Sequence, residues 1–161
     1  MLRGLIKTNH SHVLAVIRIV LGIVFFAHGA QKALGWFGGA GFSATMTGFE
    51  SRGIPAVLAF LAIMAEFLGG IGLILGLLGR VAAFGITCNM LVAIATVHAQ
   101  NGLFMNWGGR QKGEGFEYHL LVLAITVAVM IGGSGAWSVD HAGYRSLAGG
   151  EGRESLRPRT A

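Results

Sequence analysis

His28, Gln31 and Lys32 place an imidazole, an amide and an ammonium at i, i+3 and i+4, on one face of a helix. Such a trio can hydrogen-bond the oxygens of a polar head group or handle a proton. His98, Glu117 and His119 stand at the corresponding ends of two later apolar runs. Residues two apart on a helix do not share a face, so one of Glu117 and His119 should point inward. Glu117 is the expected one, because it can pair with Lys32 or His98. Glu66 lies in the middle of another apolar run, with Asn89 at similar depth on the next. A carboxyl there can relay protons, or fix helix register through Asn89 or Arg18. The candidate reacting groups are therefore His28, Lys32, Glu66 and Glu117. Gln31, Trp36, Asn89, His98, Trp107 and His119 are the candidate ligand-lining residues. Trp36 and Trp107 read equally as anchors in an interfacial aromatic belt. A haem between His28 and His98, or a metal on His28, His98, Glu117 and His119, would need a more convergent ligand set, and neither is expected.

The elements that position these residues are four apolar stretches, about 13–34, 54–78, 81–99 and 116–133. At 1.5 Å rise per residue, each can cross a hydrocarbon core of about 30 Å. A charge at the centre of such a helix costs about 2.5–3.5 kcal/mol, so the polar residues in these runs should face the bundle interior and meet one another. The expected fold is an all-α integral membrane four-helix bundle, up-down-up-down, over residues 1–140, followed by a polar cytoplasmic tail, 141–161. That tail is Gly- and Arg-rich, and is expected to be disordered or to lie on the anionic leaflet.

Composition agrees with this class. The chain is 53% hydrophobic and 12% charged, about half the charge of a soluble domain. Its net charge of +5 is spread over tails and loops rather than gathered in a stripe, which argues against nucleic acid as a partner. Arg3, Lys7, Arg80, Arg145, Arg153, Arg157 and Arg159 fall on one side of the spans; Lys32, Arg52, Arg110 and Lys112 fall on the other. The positive-inside rule then puts both termini in the cytoplasm. The basic N-terminus followed by an apolar run reads as a retained helix rather than a signal peptide. Cys88 is the single cysteine, so thiol–disulfide chemistry within this polypeptide is excluded, and packing is its expected role.

The connections are unequal. The turn around Gly79 and Arg80 is minimal and makes spans two and three antiparallel neighbours. The outer loops, about 35–53 and 100–115, are long and Gly-rich, as re-entrant or capping segments are. HGAQKALGWFGGAGF, from His28, and HAQNGLFMNWGGRQKGEGF, from His98, share the order His, Gln, Trp, Gly-Gly, which suggests a parallel internal repeat with His28 and His98 equivalent. Gly69, Gly72, Gly76 and Gly79 recur at helical spacing and should let helix backbones approach closely.

RIVLGIVFFAHGAQKALGWFGG (18–39), AEFLGGIGLILGLLGRVAA (65–83) and GFEYHLLVLAITVAVMIGGSGAWSVD (115–140) carry a family resemblance. Over about residues 13–141 the chain resembles the DoxX family of small four-helix bacterial membrane proteins. The resemblance implies a multi-pass protein of the bacterial inner (cytoplasmic) membrane, of a kind commonly called a membrane oxidoreductase subunit. It singles out Arg18, His28, Gly29, Lys32, Glu66 and Glu117. The sequence carries no flavin motif, Cys pair or cluster motif, so no covalent cofactor is expected, and any electrons must be carried by a quinone or by a soluble or membrane redox partner. The leading expectation is a quinone-associated membrane oxidoreductase component with its polar site in the outer half of the bundle. The alternatives are a non-catalytic accessory or scaffold subunit, and a small-molecule transporter acting as a homo-oligomer.

Overall fold

The computed structural model describes residues 2–154, and these are all-helical, with no strand among them. A short α1 (Leu2–Ile6) precedes α2 (His12–Leu34), α3 (Gly41–Glu50), α4 (Ala56–Leu75), α5 (Gly79–Ala93), α6 (Glu117–Gly132) and α7 (Val139–Glu154). A π turn at Ile94–His98 and a 3-10 turn at Ala99–Asn101 extend α5, so the helical run continues to Asn101. Three helices are long and apolar enough to cross a membrane: His12–Leu34, Ala56–Leu75 and Gly79–Asn101. The fourth apolar helix, α6, is shorter; its 16 residues rise about 24 Å.

The apolar residues are distributed as lipid would require. Val13, Val16 and Val20 on α2, Val57, Leu61 and Leu68 on α4, and Leu121 and Ile131 on α6 face outward. The interior is built from Leu21, Phe25, Leu73, Ala83, Ile86, Met90, Val122 and Val129. An apolar exterior around a polar-containing interior reverses the usual soluble pattern.

α2 and α4 form the tightest pair, and three glycines make it so. A Cβ on Gly29 would fall on the Phe67 backbone, one on Gly70 on the Phe26 amide, and one on Gly22 within 2.8 Å of the Ile74 amide nitrogen. The close approach therefore runs through Gly22, Gly29 and Gly70. Of the glycines singled out by spacing, Gly69 meets the Ile86 side chain and the Ala82 carbonyl at ordinary distance, and Gly76 ends α4 with φ 63°. α5 and α6 are joined by the Thr87 and Thr126 hydroxyls, 2.8 Å apart.

The turn between α4 and α5 is as short as expected, Gly76 to Leu78. The two long loops differ from each other. The first carries a 3-10 turn (Trp36–Gly38) and α3. The second has no α-helix and folds back on itself, with Gly115, Phe116 and Glu117 amides donating to the carbonyls of Phe104, Gly102 and Leu103. From Val139 the chain is helical to Glu154, rather than irregular; residues 155–161 of the tail lie outside the described residues.

Candidate functional site

Each end of the bundle buries charge. At the end holding α1 and the start of α7, Arg18 is fully buried, and its Nε and two Nη groups donate to five carbonyls: Ser134 at 2.5 Å, Leu73 at 2.5 Å, Ile74 at 2.8 Å, Ala136 at 3.1 Å and Trp137 at 2.6 Å. Leu73 and Ile74 belong to the last turn of α4, whose free carbonyls form the negative end of a helix dipole. Asp140 is the complement. Its carboxylate accepts from the amides of Leu78 (2.8 Å) and Gly79 (3.0 Å) at the start of α5, and from the Ser134 hydroxyl (2.6 Å). Arg18 therefore does not tie to Glu66; its partners are main-chain oxygens.

At the opposite end, Lys32 on α2 donates to Glu66 Oε2 on α4, and Asn89 Nδ2 on α5 donates to Glu66 Oε1 at 2.9 Å. The Glu66 side chain is 7% exposed and that of Lys32 31%. α6 supplies the Tyr118 hydroxyl, on a ring that packs against the apolar core and lies 5.6 Å, centre to centre, from that of His119. That hydroxyl is buried without a hydrogen-bond partner among the described residues, and so is Nδ1 of His119. The His119 ring lies 4.1 Å, centre to centre, from that of His98. His98 Nδ1 meets the Glu114 carbonyl at 2.8 Å and borders an open cleft of about 640 Å³ that also touches Lys112 and Glu114.

The structure joins Lys32, Glu66 and Asn89 in one cluster, sets His98 against His119 in a second, and leaves the other candidates outside both. His28 is on the exposed side of α2 with no hydrogen bond among the described residues. Gln31 donates to the Phe37 carbonyl at 3.2 Å, fastening the first loop. Trp36 is exposed and packs edge-on near Phe26. Glu117 pairs with neither Lys32 nor His98: it accepts from the Met105 amide (3.0 Å) and the Trp107 indole (3.3 Å), holding the second loop, and His119 is the buried member of the two. Trp107 is otherwise exposed. The match between the two loops does not extend to equivalent surroundings for His28 and His98. Among the described residues no group of three His, Cys, Asp or Glu could hold a metal ion.

Sequence reasoning missed Tyr118 and Asp140. A tyrosine beside a carboxylate and a histidine at a helix start was the available signal for Tyr118. Asp140, beyond the last apolar run, carried none.

The family model described as DoxX matches residues 13–99. The chain is 31% identical to an uncharacterized protein of Haemophilus influenzae, over 84% of this chain and 94% of that one. It is 30% identical to the inner membrane protein YqjF of Escherichia coli, over 78% and 87%. It is 29% identical to a Bacillus subtilis protein named "Putative oxidoreductase CatD", over 71% and 75%. No solved structure matches it.

Proposed function

The chain belongs to the DoxX family of membrane proteins, and from that premise we propose that it is a component of a quinone-linked oxidoreductase of the bacterial inner membrane. The reading takes α2, α4, α5 and α6 as four spans running up-down-up-down with both termini cytoplasmic. Arg3, Lys7, Arg80 and Arg145 then lie on the cytoplasmic side, and Lys32, Arg52, Arg110 and Lys112 on the outer side.

The observation that carries the proposal is the two buried polar atoms of α6 without a partner among the described residues, Tyr118 Oη and His119 Nδ1, at the end of the bundle where Lys32 pairs with Glu66. A buried polar atom without a partner costs about 1–3 kcal/mol, and such atoms in a native protein call for an explanation. These groups would then form the polar wall of a ligand chamber, taking a molecule with two polar oxygens on an apolar body from the lipid side. A membrane quinone has that shape and, when bound, supplies a two-electron, two-proton couple. Lys32 would donate to one ligand oxygen while Glu66, itself fixed by the Asn89 amide, holds the ammonium in place. Tyr118 and His119 would hydrogen-bond the other oxygen and hold or accept a proton there. The name carried by the Bacillus subtilis relative supports redox chemistry in general terms.

The test is extraction and mass spectrometry of protein purified gently with its lipids. Stoichiometric quinone in the wild type, absent from Glu66→Gln and Tyr118→Phe, is the expected result. Phospholipid alone, in a preparation shown to keep its native lipids, would move the assignment to a non-catalytic accessory subunit.

A further inference from the structure

We propose that His119 and His98 form the proton path between the proposed ligand chamber and the open cleft at the end of the bundle away from α1 and the start of α7. The proposal rests on the reading above, that the chamber exchanges protons with its ligand.

A buried proton-handling site needs a route to water, and the groups around this chamber allow few. α2 and α4 contribute Lys32 and Glu66, which are bound to each other, and α5 contributes Asn89, which has no exchangeable charge. His28, the other titratable group of α2 at this end, is on the exposed side of its helix. Glu117 is fixed by the Met105 amide and the Trp107 indole. Next to Tyr118, His119 is 6% exposed and presents an unpartnered Nδ1. Its ring lies 4.1 Å from that of His98, close enough for transfer directly or through one water. His98 is half-buried and borders the cleft with Lys112 and Glu114. The order Tyr118, His119, His98, cleft thus runs from buried to solvated, with ring centres 5.6 Å and 4.1 Å apart at the two steps. An imidazole suits each step, because one ring nitrogen can accept while the other releases. The π turn over Ile94–His98 is what turns His98 toward this region at the end of α5.

The experiment needs no bound quinone. Protein in lipid nanodiscs is transferred into D2O by stopped flow, and exchange of the Tyr118 hydroxyl is followed from its infrared ring mode, assigned by Tyr118→Phe. His119→Phe and His98→Phe should each slow exchange by about ten-fold or more, and His28→Phe should leave it unchanged. His98 borders the cleft, so its substitution keeps the test open if His119→Phe does not fold. Exchange at the wild-type rate in His98→Phe overturns the path. Quinone content is measured on the same samples. Slowed exchange in a protein that never retained quinone would overturn the quinone assignment and leave the path standing.

Discussion

Arg18, buried, and Lys32, partly buried, are cations of the same helix, and their surroundings are opposite in kind. Around Arg18 all five guanidinium N–H groups find carbonyls, and the nearby Asp140 is itself saturated by two amides and a hydroxyl. At the other end the Lys32–Glu66 ion pair is made, but on α6 Tyr118 Oη and His119 Nδ1 have no partner among the described residues. The Arg18 guanidinium and the Asp140 carboxylate are satisfied within their own network, although His141 Nδ1, on the neighbouring first turn of α7, is also buried without a partner among the described residues. A closed network locks α2, α4 and the α6–α7 connection together, whereas an open one leaves bonding capacity for something else.

The largest effect that would break this distinction is at Arg18. Arg18→Met should destabilise by about 3–5 kcal/mol, since it strips five carbonyls, three of them in buried bonds, of their donors at once. Arg18→Lys should rescue little, because an ammonium has three donors and no planar fork. Thermal unfolding in detergent, read by size-exclusion chromatography, measures both. Near-wild-type stability in Arg18→Met would show that this end is not the structural one.

Next comes the ion pair at the other end. Lys32→Met alone should cost about 1–3 kcal/mol, less than a fully buried pair because Lys32 is partly exposed. The double variant Lys32→Met/Glu66→Gln should recover most of that loss, since neither charge is then stranded. Quinone content should fall in both. Recovery of stability without recovery of ligand is the pattern of a site; recovery of both would make the pair a helix tie.

Asp140→Asn is smaller again. It keeps the shape but removes the charge at the start of α5, and should lower stability by about 1 kcal/mol with quinone content unchanged. The same unfolding and extraction measurements apply. A change in ligand content here would mean that the two ends are coupled.

How much of this was legible beforehand follows from what each group binds. The apolar runs placed the long helices to within a few residues, because hydropathy over 20 residues integrates a strong signal. Lys32, Glu66 and Asn89 could be put at neighbouring depths by counting from helix ends. Which side of α2 faces the bundle could not be counted. Its outward face is nearly as apolar as its inward one, so His28 and Lys32, one turn apart, looked equivalent, and only the Gly22 and Gly29 contacts with α4 settle their orientation. Arg18 was visible as a charge, but main-chain carbonyls leave no trace in a sequence. Glu117 was misassigned because its partners, an amide and an indole in the second loop, lie where no helical periodicity applies.

The smallest stability effect discriminates most sharply between structure and site. Tyr118→Phe removes one oxygen from a position where it makes no hydrogen bond to the protein. Losing a hydroxyl from a closed network costs about 1 kcal/mol, as expected for Thr126, whose hydroxyl bonds Leu123 and meets Thr87. Losing an unpaired one removes a desolvation penalty, so the ligand-free protein should be unchanged, or more stable by up to about 1 kcal/mol. With quinone present the sign should reverse, because the wild type alone gains from bonding it and binding to the folded state raises stability. Thermal unfolding of both proteins, delipidated and then supplied with quinone, reads the two signs. A loss of stability in the delipidated variant would mean that the Tyr118 hydroxyl already has a structural partner, such as a bound water, and that this end is closed like the other.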